Sequence, residues 1–169
     1  AYVELGNEIC ISGFYMKIAD KPGFFERTSS YQNKVARKAY DYLEMADKFR
    51  TAILREFPDM KFGIPMQPQY GVRNLEWNRV LRLWGRNDAE IQHIYLTTRA
   101  YLDTKKEFDK IVAGSQKPVW ITEWSWNHGN DCSKNLTDIG QIYYKAFFKE
   151  FLEICKLSKK VDMTCQHLL

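Results

Sequence analysis

Five short apolar runs alternate along the chain with four segments whose apolar residues recur every three or four positions. The runs predict β-strands and the periodic segments predict amphipathic helices, because each spacing places apolar side chains on one face. The predicted strands cover residues 2–8, 60–66, 91–95, 119–123 and 161–168, and the predicted helices cover 31–57, 74–83, 101–112 and 138–157. Parallel strands need a crossover between them, so the alternation predicts an α/β fold with a parallel sheet.

Length and charge narrow the class of protein further. A chain of 169 residues with no linker or repeat is predicted to form one domain, residues 1–169. The net charge of +4 is spread over 25 basic and 21 acidic side chains. A surface that binds nucleic acid normally shows clustered Lys and Arg, and this chain has no such cluster, so no nucleic-acid partner is predicted. No apolar run approaches the roughly 18 residues that a membrane span needs, so no membrane partner is predicted either.

Two architectures fit the predicted strand order. A doubly wound sheet that binds nucleotides is expected to carry a G-x-G-x-x-G loop after its first strand, and this chain has none. Polar residues collect instead at the carboxyl ends of four predicted strands, at Asn7 and Glu8, at His93 and Tyr95, at Glu123 and at His167. That end of a TIM barrel carries the catalytic residues. A complete barrel takes about 250 residues, so we predict a partial TIM-type barrel of five strands and four helices.

Two glutamates, Glu8 and Glu123, stand at the ends of separate predicted strands. A pair of carboxyl groups delivered in this way is the chemical requirement for splitting a glycosidic bond. Alternate residues of a strand share a face, which places His93 and Tyr95 on one side of their strand. If these faces line a barrel, both glutamates converge with His93 and Tyr95 on one substrate site.

Three motifs carry a family resemblance. The E-L-G-N-E run that ends at Glu8 resembles the E-x-G-N-E signature on the fourth strand of clan A glycoside hydrolases. The I-T-E-W run around Glu123 resembles the signature on their seventh strand, and the H-I-Y run of residues 93–95 is similar to a motif on their sixth. The resemblance covers strands four to eight of that barrel, which is almost the whole chain.

The resemblance implies a retaining glycosidase that acts on a carbohydrate without a cofactor. Glu8 would be the general acid/base and Glu123 the nucleophile, with Asn7 binding the hydroxyl beside the reacting carbon. Tyr95 would donate a hydrogen bond to Glu123. His93 is a candidate substrate contact, and Trp124 and Trp126, which follow the predicted strand end, are candidates for stacking on a sugar.

Other interpretations of these residues remain open at the level of sequence. Glu8 could be a surface or capping acid, Glu123 could be a buried acid paired with a basic residue, and His93 could be structural. The chain could also be an inactive carbohydrate-binding or structural fragment of such a barrel. A metal site would need His93, His128 and His167, whose spacing matches no known motif, so no metal is predicted.

The four cysteines have no C-x-x-C spacing, so neither a zinc knuckle nor a thioredoxin-like site is expected. Cys10 and Cys132 each follow a proposed active-site strand and could pair, depending on the compartment. Secretion is expected by analogy with enzymes that digest polymers, and Asn135 begins an N-glycosylation sequon.

The chain also departs from the family pattern. Ile9 stands where many relatives have proline, and residues 165–167 replace a frequent tryptophan. Strands one to three of the family's barrel have no counterpart. Five strands would leave two sheet edges open, so we expect self-association or a partner segment to complete the barrel.

Overall fold

Five strands and four helices alternate in the part of the chain that the computed structural model describes, residues 1–7, 9, 17–68, 71–96, 104–126 and 138–165. The strands are β1 (Tyr2–Glu4), β2 (Lys61–Pro65), β3 (Ala89–Leu96), β4 (Val119–Trp126) and β5 (Val161–Thr164). The helices are α1 (Thr28–Glu56), α2 (Val72–Trp84), α3 (Thr104–Val112) and α4 (Asp138–Leu157). The α/β class predicted from the alternation is confirmed. None of the described helices is both long and apolar enough to cross a membrane.

The strands form one sheet in the order β1-β2-β3-β4-β5. Tyr2 lies opposite Lys61, and Gly63 lies opposite Ala89, both in parallel pairs. β4 and β5 are also parallel, with a register shift after Val119. A doubly wound sheet reverses its strand order at a switch point, whereas this order runs without reversal. A five-stranded parallel sheet of this order is consistent with a partial barrel, and its TIM-type identity stays a prediction.

Contacts within the chain divide it into two compact units, Ala1–Ile91 and Gln92–Leu169. Strand β3 contributes its first residues to one unit and its last residues to the other. The single domain predicted for residues 1–169 stays a prediction.

The core of the first unit lies between its helices and its strands. On α1 the buried residues are Tyr31, Val35, Ala39, Tyr42 and Ala46, which follow the helical spacing. They pack in one cluster with β2 and α2 residues that include Phe62, Ile64, Trp77 and Leu81. The sequence predicted that the apolar stripe continues to Phe57, but Phe49 and Phe57 are each 59% exposed. At 29 residues α1 is about 44 Å long, far longer than the strands that it covers, so its later turns bury little.

The second unit has its own core, formed by β3, β4, α3 and α4. Ile94, Val119, Ile121 and Trp124 from the strands pack with Phe108, Val112, Phe147, Phe151 and Cys155 from the helices. Several members are aromatic, and the ring of Phe151 contacts those of both Phe108 and Phe147. The predicted apolar face of α4 is thus partly confirmed, at Phe147, Phe151 and Cys155.

A buried ion pair connects α2 to β3 in the first unit. The guanidinium of Arg82 lies 3.0 Å from a carboxylate oxygen of Glu90, and the Arg82 Nε donates a second hydrogen bond to the same carboxylate. The Glu90 side chain is only 2% exposed. A charge this deeply buried is stable only when it is paired and hydrogen-bonded.

Replacing Arg82 by Met is expected to lower the free energy of unfolding by about 3–5 kcal/mol, because the buried carboxylate of Glu90 loses its charged partner. The matched control is Lys48→Met, which breaks the pair of Lys48 with Glu44 on α1, where both side chains are largely exposed. That variant should lose less than about 1 kcal/mol. Urea unfolding of both variants checks this prediction, and equal losses would contradict it.

The phenol of Tyr42 lies in the same unit and donates a hydrogen bond of 2.6 Å to the carbonyl of Leu5. Burial, with a smaller contribution from the charge of Glu4, raises the pKa of Tyr42 well above its ordinary value of 10.0. Above pH 10 the unfolded chain loses a proton that the folded protein keeps, so stability falls as the pH rises.

Replacing Tyr42 by Phe should therefore cost about 1 kcal/mol at pH 7, where the hydrogen bond is lost. The same variant should lose less stability than the wild type between pH 9.5 and pH 11. Urea midpoints measured across that range provide the test. If the urea midpoint of Tyr42→Phe falls with pH as steeply as that of the wild type, Tyr42 does not cause the loss of stability at high pH.

Candidate active site

Three of the predicted site residues come together in the second halves of β3 and β4, within the second unit. The phenol of Tyr95 donates a hydrogen bond of 2.5 Å to Oε2 of Glu123. The Nδ1 atom of His93 lies 3.5 Å from the same oxygen. The hydrogen bond that the family resemblance implied is present, and His93 is adjacent to it.

The strand geometry explains this grouping. His93 and Tyr95 are two residues apart on β3, so they share one face, while Ile94 between them is fully buried in the core of the unit. On β4 the neighbours Glu123 and Trp124 likewise lie on opposite faces, and Trp124 is the one buried in the core of the unit. At these positions a core residue thus alternates with polar ones, although Ile91 and Ile121, earlier on the same face as the polar groups, are buried as well.

The Glu123 carboxylate is partly buried. Its side chain is 21% exposed, and the His93 side chain is 12% exposed. A carboxylate that accepts a short hydrogen bond from a phenol is held in one orientation, and hydrogen bonds to an ionised group are stronger than neutral ones. The arrangement can therefore present an oriented carboxylate to a bound molecule, either as a nucleophile or as a base.

Trp124 occupies a different environment from the one that the sequence suggested. The prediction assumed that the strand ends at Glu123, but β4 continues to Trp126. Trp124 is 2% exposed, and its ring lies 4.5 Å from that of Phe151 and 5.1 Å from that of Phe148. A ring packed in this way has no free face for a sugar, so we assign Trp124 to the core. Stacking by Trp126, the last residue of β4, stays a prediction.

The first strand is shorter than predicted. It ends at Glu4, because Gly6 has a φ of 100°, a conformation outside the strand region that glycine adopts readily. A side chain at Gly6 would also meet the Ile9 side chain at 2.7 Å. The expectation that residues 2–8 alternate as one strand was therefore wrong. Asn7 is exposed beyond this turn, and Glu8 lies outside the described residues.

The sequence interpretation missed a polar group where β2 leads into α2. The side chain of Asn78 accepts a hydrogen bond from the Gln67 N–H and donates one to the Gln67 carbonyl, at 2.8 and 2.7 Å. Arg73, in the first turn of α2, is nearly buried, donates to the carbonyl of Ile18 and pairs with Asp20. The sequence signal that could have found this group is the presence of polar residues in the first two turns of a helix that follows a strand.

The remaining residues considered for chemistry are the candidate metal ligands and the cysteines. Among the described residues no group of three His, Cys, Asp or Glu side chains could hold a metal ion. His128 and His167, required for the metal interpretation, lie outside those residues, as do Cys10 and Cys132. Cys155 and Cys165 are free thiols, and burial raises the pKa of Cys155 to about 12, which makes it unreactive.

Comparison with protein-family models, with curated proteins and with solved structures finds no match to this chain. A functional interpretation therefore depends on the geometry of the site and on the three motifs.

Replacing Trp124 by Ala should lower the free energy of unfolding by about 3–5 kcal/mol, because it opens a cavity among Phe147, Phe148 and Phe151. Trp84 is 62% exposed, so Trp84→Ala is the matched control and should cost less than about 1 kcal/mol. Thermal and urea unfolding of both variants measure the difference. Similar losses would contradict a core role for Trp124.

Proposed function

We propose that this chain is a retaining O-glycoside hydrolase, or the catalytic part of one, with Glu123 as the nucleophile and Glu8 as the general acid/base. The observation that carries the proposal is the hydrogen bond of 2.5 Å from Tyr95 to Glu123. It joins the second half of β3 to the second half of β4, on the motif residues that resemble those of clan A glycoside hydrolases.

The chemistry of retention explains why such a contact is useful. The nucleophilic carboxylate attacks the sugar carbon with one oxygen, so its orientation must be fixed before the substrate binds. Tyr95 holds Oε2 by a hydrogen bond, which fixes the orientation of the carboxylate that attacks. Glu8 would protonate the leaving oxygen and then activate water against the covalent intermediate. That role, like hydroxyl binding by Asn7, is supported by the motif resemblance alone.

The proposal includes a TIM-type barrel of which this chain supplies strands four to eight. The sequential strand order supports it, because a barrel places each strand beside its predecessor in the chain. The open edges of β1 and β5 would then be covered by a second copy or by a partner segment. Secretion remains the expected localisation, by analogy with enzymes that digest polymers.

Replacing Glu123 by Gln should lower the hydrolysis of aryl glycosides about a thousandfold or more, since an amide is too weak a nucleophile. Glu153, exposed on α4, provides the matched control, and Glu153→Gln should keep wild-type turnover. A fluorinated aryl glycoside should label the wild-type protein covalently, with the mass of one sugar on the peptide that contains Glu123. Label on another residue would refute the assignment. Carbohydrate binding without label or turnover would favour the inactive fragment.

Replacing Tyr95 by Phe removes the phenol from the carboxylate and keeps the ring. We expect kcat to fall about ten- to a hundredfold, which corresponds to one hydrogen bond to a charged group. Tyr40→Phe, at a ring that is 44% exposed on α1, is the control and should leave kcat unchanged. Steady-state kinetics on the same aryl glycosides would contradict the positioning role if both variants behave like the wild type.

A further inference from the structure

Two phenylalanines in the first unit are almost completely exposed. Phe24 is 97% exposed and Phe25 is 95% exposed, and both lie in the connection between β1 and α1. Their rings contact each other edge to face, with centroids 5.0 Å apart. So high an exposure means that the two rings project from the protein and touch little else of it. Exposed apolar surface with a polar rim marks a site of contact with a protein or a membrane.

The turn that carries the rings is held in place by hydrogen bonds. The Glu26 N–H donates to the Gly23 carbonyl at 2.9 Å, and the Glu26 carboxylate accepts a hydrogen bond from the Gly23 N–H at 3.2 Å. Earlier in the same connection, the Arg73 guanidinium donates to the Ile18 carbonyl at 3.1 Å. Because the backbone around the rings is fixed, they lose little conformational entropy when they enter another phase or surface.

The net charge of the chain is concentrated around this turn. Six of the 25 basic side chains and two of the 21 acidic ones lie between Lys17 and Lys38. The rest of the chain holds 19 of each sign, so this segment accounts for the whole net charge of +4. The six basic residues are not consecutive, and for this reason the sequence shows no basic run. They are Lys17, Lys21, Arg27, Lys34, Arg37 and Lys38.

The ion pairs of this region leave the basic side chains in excess. Asp20 pairs with Arg73, which belongs to α2 and is not one of the six. Glu26 lies 3.9 Å from Lys34, which is one of them. The acidic side chains of the segment thus neutralise only one of its six basic side chains.

The remaining cations border the ring pair. Lys21 precedes and Arg27 follows the rings within three positions, and both are exposed and form no ion pair in the part of the chain that the structure describes. Lys34 contacts the turn through Glu26, and Lys38, one helical turn further, shares its face of α1. The rings therefore project from a surface that is basic on both sides of the turn.

We propose that Phe24 and Phe25 insert into the surface of an anionic membrane while Lys21 and Arg27 contact its acidic headgroups. Exposed aromatic side chains flanked by Lys and Arg are the composition of protein segments that lie in the membrane interface. Such a contact needs no membrane-spanning segment, the feature whose absence argued against a membrane partner at the level of sequence. It involves the first unit alone and is independent of the proposed glycosidase function.

The geometry of the rings favours lipid over a nucleic acid or a protein. Successive bases stack parallel to one another, whereas the planes of Phe24 and Phe25 are at 90°. A base on one ring would leave the other ring without a stacking partner. A protein would need a cavity shaped to both projecting rings, but the fluid boundary between headgroups and acyl chains accepts apolar side chains without one.

The test measures how the full chain binds to vesicles of phosphatidylcholine with or without about one third phosphatidylserine, by sedimentation of the vesicles. The wild type should bind the anionic vesicles about tenfold or more tightly than the neutral ones. In Phe24→Ala/Phe25→Ala the affinity for anionic vesicles should fall about tenfold or more, because the rings no longer insert. Lys21→Gln/Arg27→Gln should lose about tenfold, because two cations no longer face the headgroups.

The matched controls lie at the other end of α1. Phe57→Ala removes a ring that is 59% exposed, and Arg55→Gln removes an exposed cation from the last turn of the helix. Both should keep the wild-type affinity for anionic vesicles. All substituted side chains are exposed, so every variant should also keep the wild-type urea midpoint.

Three results would overturn the membrane contact. The wild type could leave both kinds of vesicle unbound, or it could bind neutral and anionic vesicles equally. The ring variant could bind anionic vesicles as well as Phe57→Ala does. A different occupant is shown if a single-stranded oligonucleotide, or a second copy of the chain in sedimentation, binds the wild type and is lost in the ring variant while vesicles stay unbound.

Discussion

Parallel pairing of strands is the constraint on which the other features of this fold depend. Two parallel strands cannot be joined by a tight turn, so each pair in the sheet needs a crossover, and α1 and α2 supply two of them in the first unit. Each crossover begins where a strand ends and returns to the start of the next. The connections after the strands therefore share one end of the unit. In the first unit that end carries Asn7, the anchored turn with Phe24 and Phe25, and the first residues of α2.

In the second halves of β3 and β4, the alternation of side chains then separates individual core residues from the polar residues beside them. On β3 and β4 the residues Ile94 and Trp124 enter an aromatic core with Phe147 and Phe151, and this packing fixes the two strands. Their neighbours Tyr95 and Glu123 are directed by the same backbone to the opposite face, where they meet in a hydrogen bond. A rigid element positions polar groups more accurately than a loop does, because its backbone has few alternatives. The core under Trp124 thus indirectly orients the carboxylate of Glu123.

Buried polar contacts have a comparable role in the first unit. Asn78 satisfies both backbone groups of Gln67 where β2 ends, and Arg73 fixes the segment at Ile18 and Asp20. Such contacts are directional, whereas apolar packing is not, so they determine where a connecting segment lies. The exposure of Phe24 and Phe25 is for this reason a property of an ordered turn, closed between Gly23 and Glu26.

The sequence by itself determined the order of the elements, the parallel α/β class and the position of His93, Tyr95 and Glu123 near strand ends, because periodicity and parity are local properties. It did not determine that β1 ends at Glu4, which depends on the backbone angle of Gly6. Nor did it separate Trp124 from the site, or show that Arg73 and Asp20 meet. Those outcomes were decided by tertiary structure, since the neighbours that bury Trp124 or pair with Arg73 are distant in the chain, and no local pattern records which of them will come into contact.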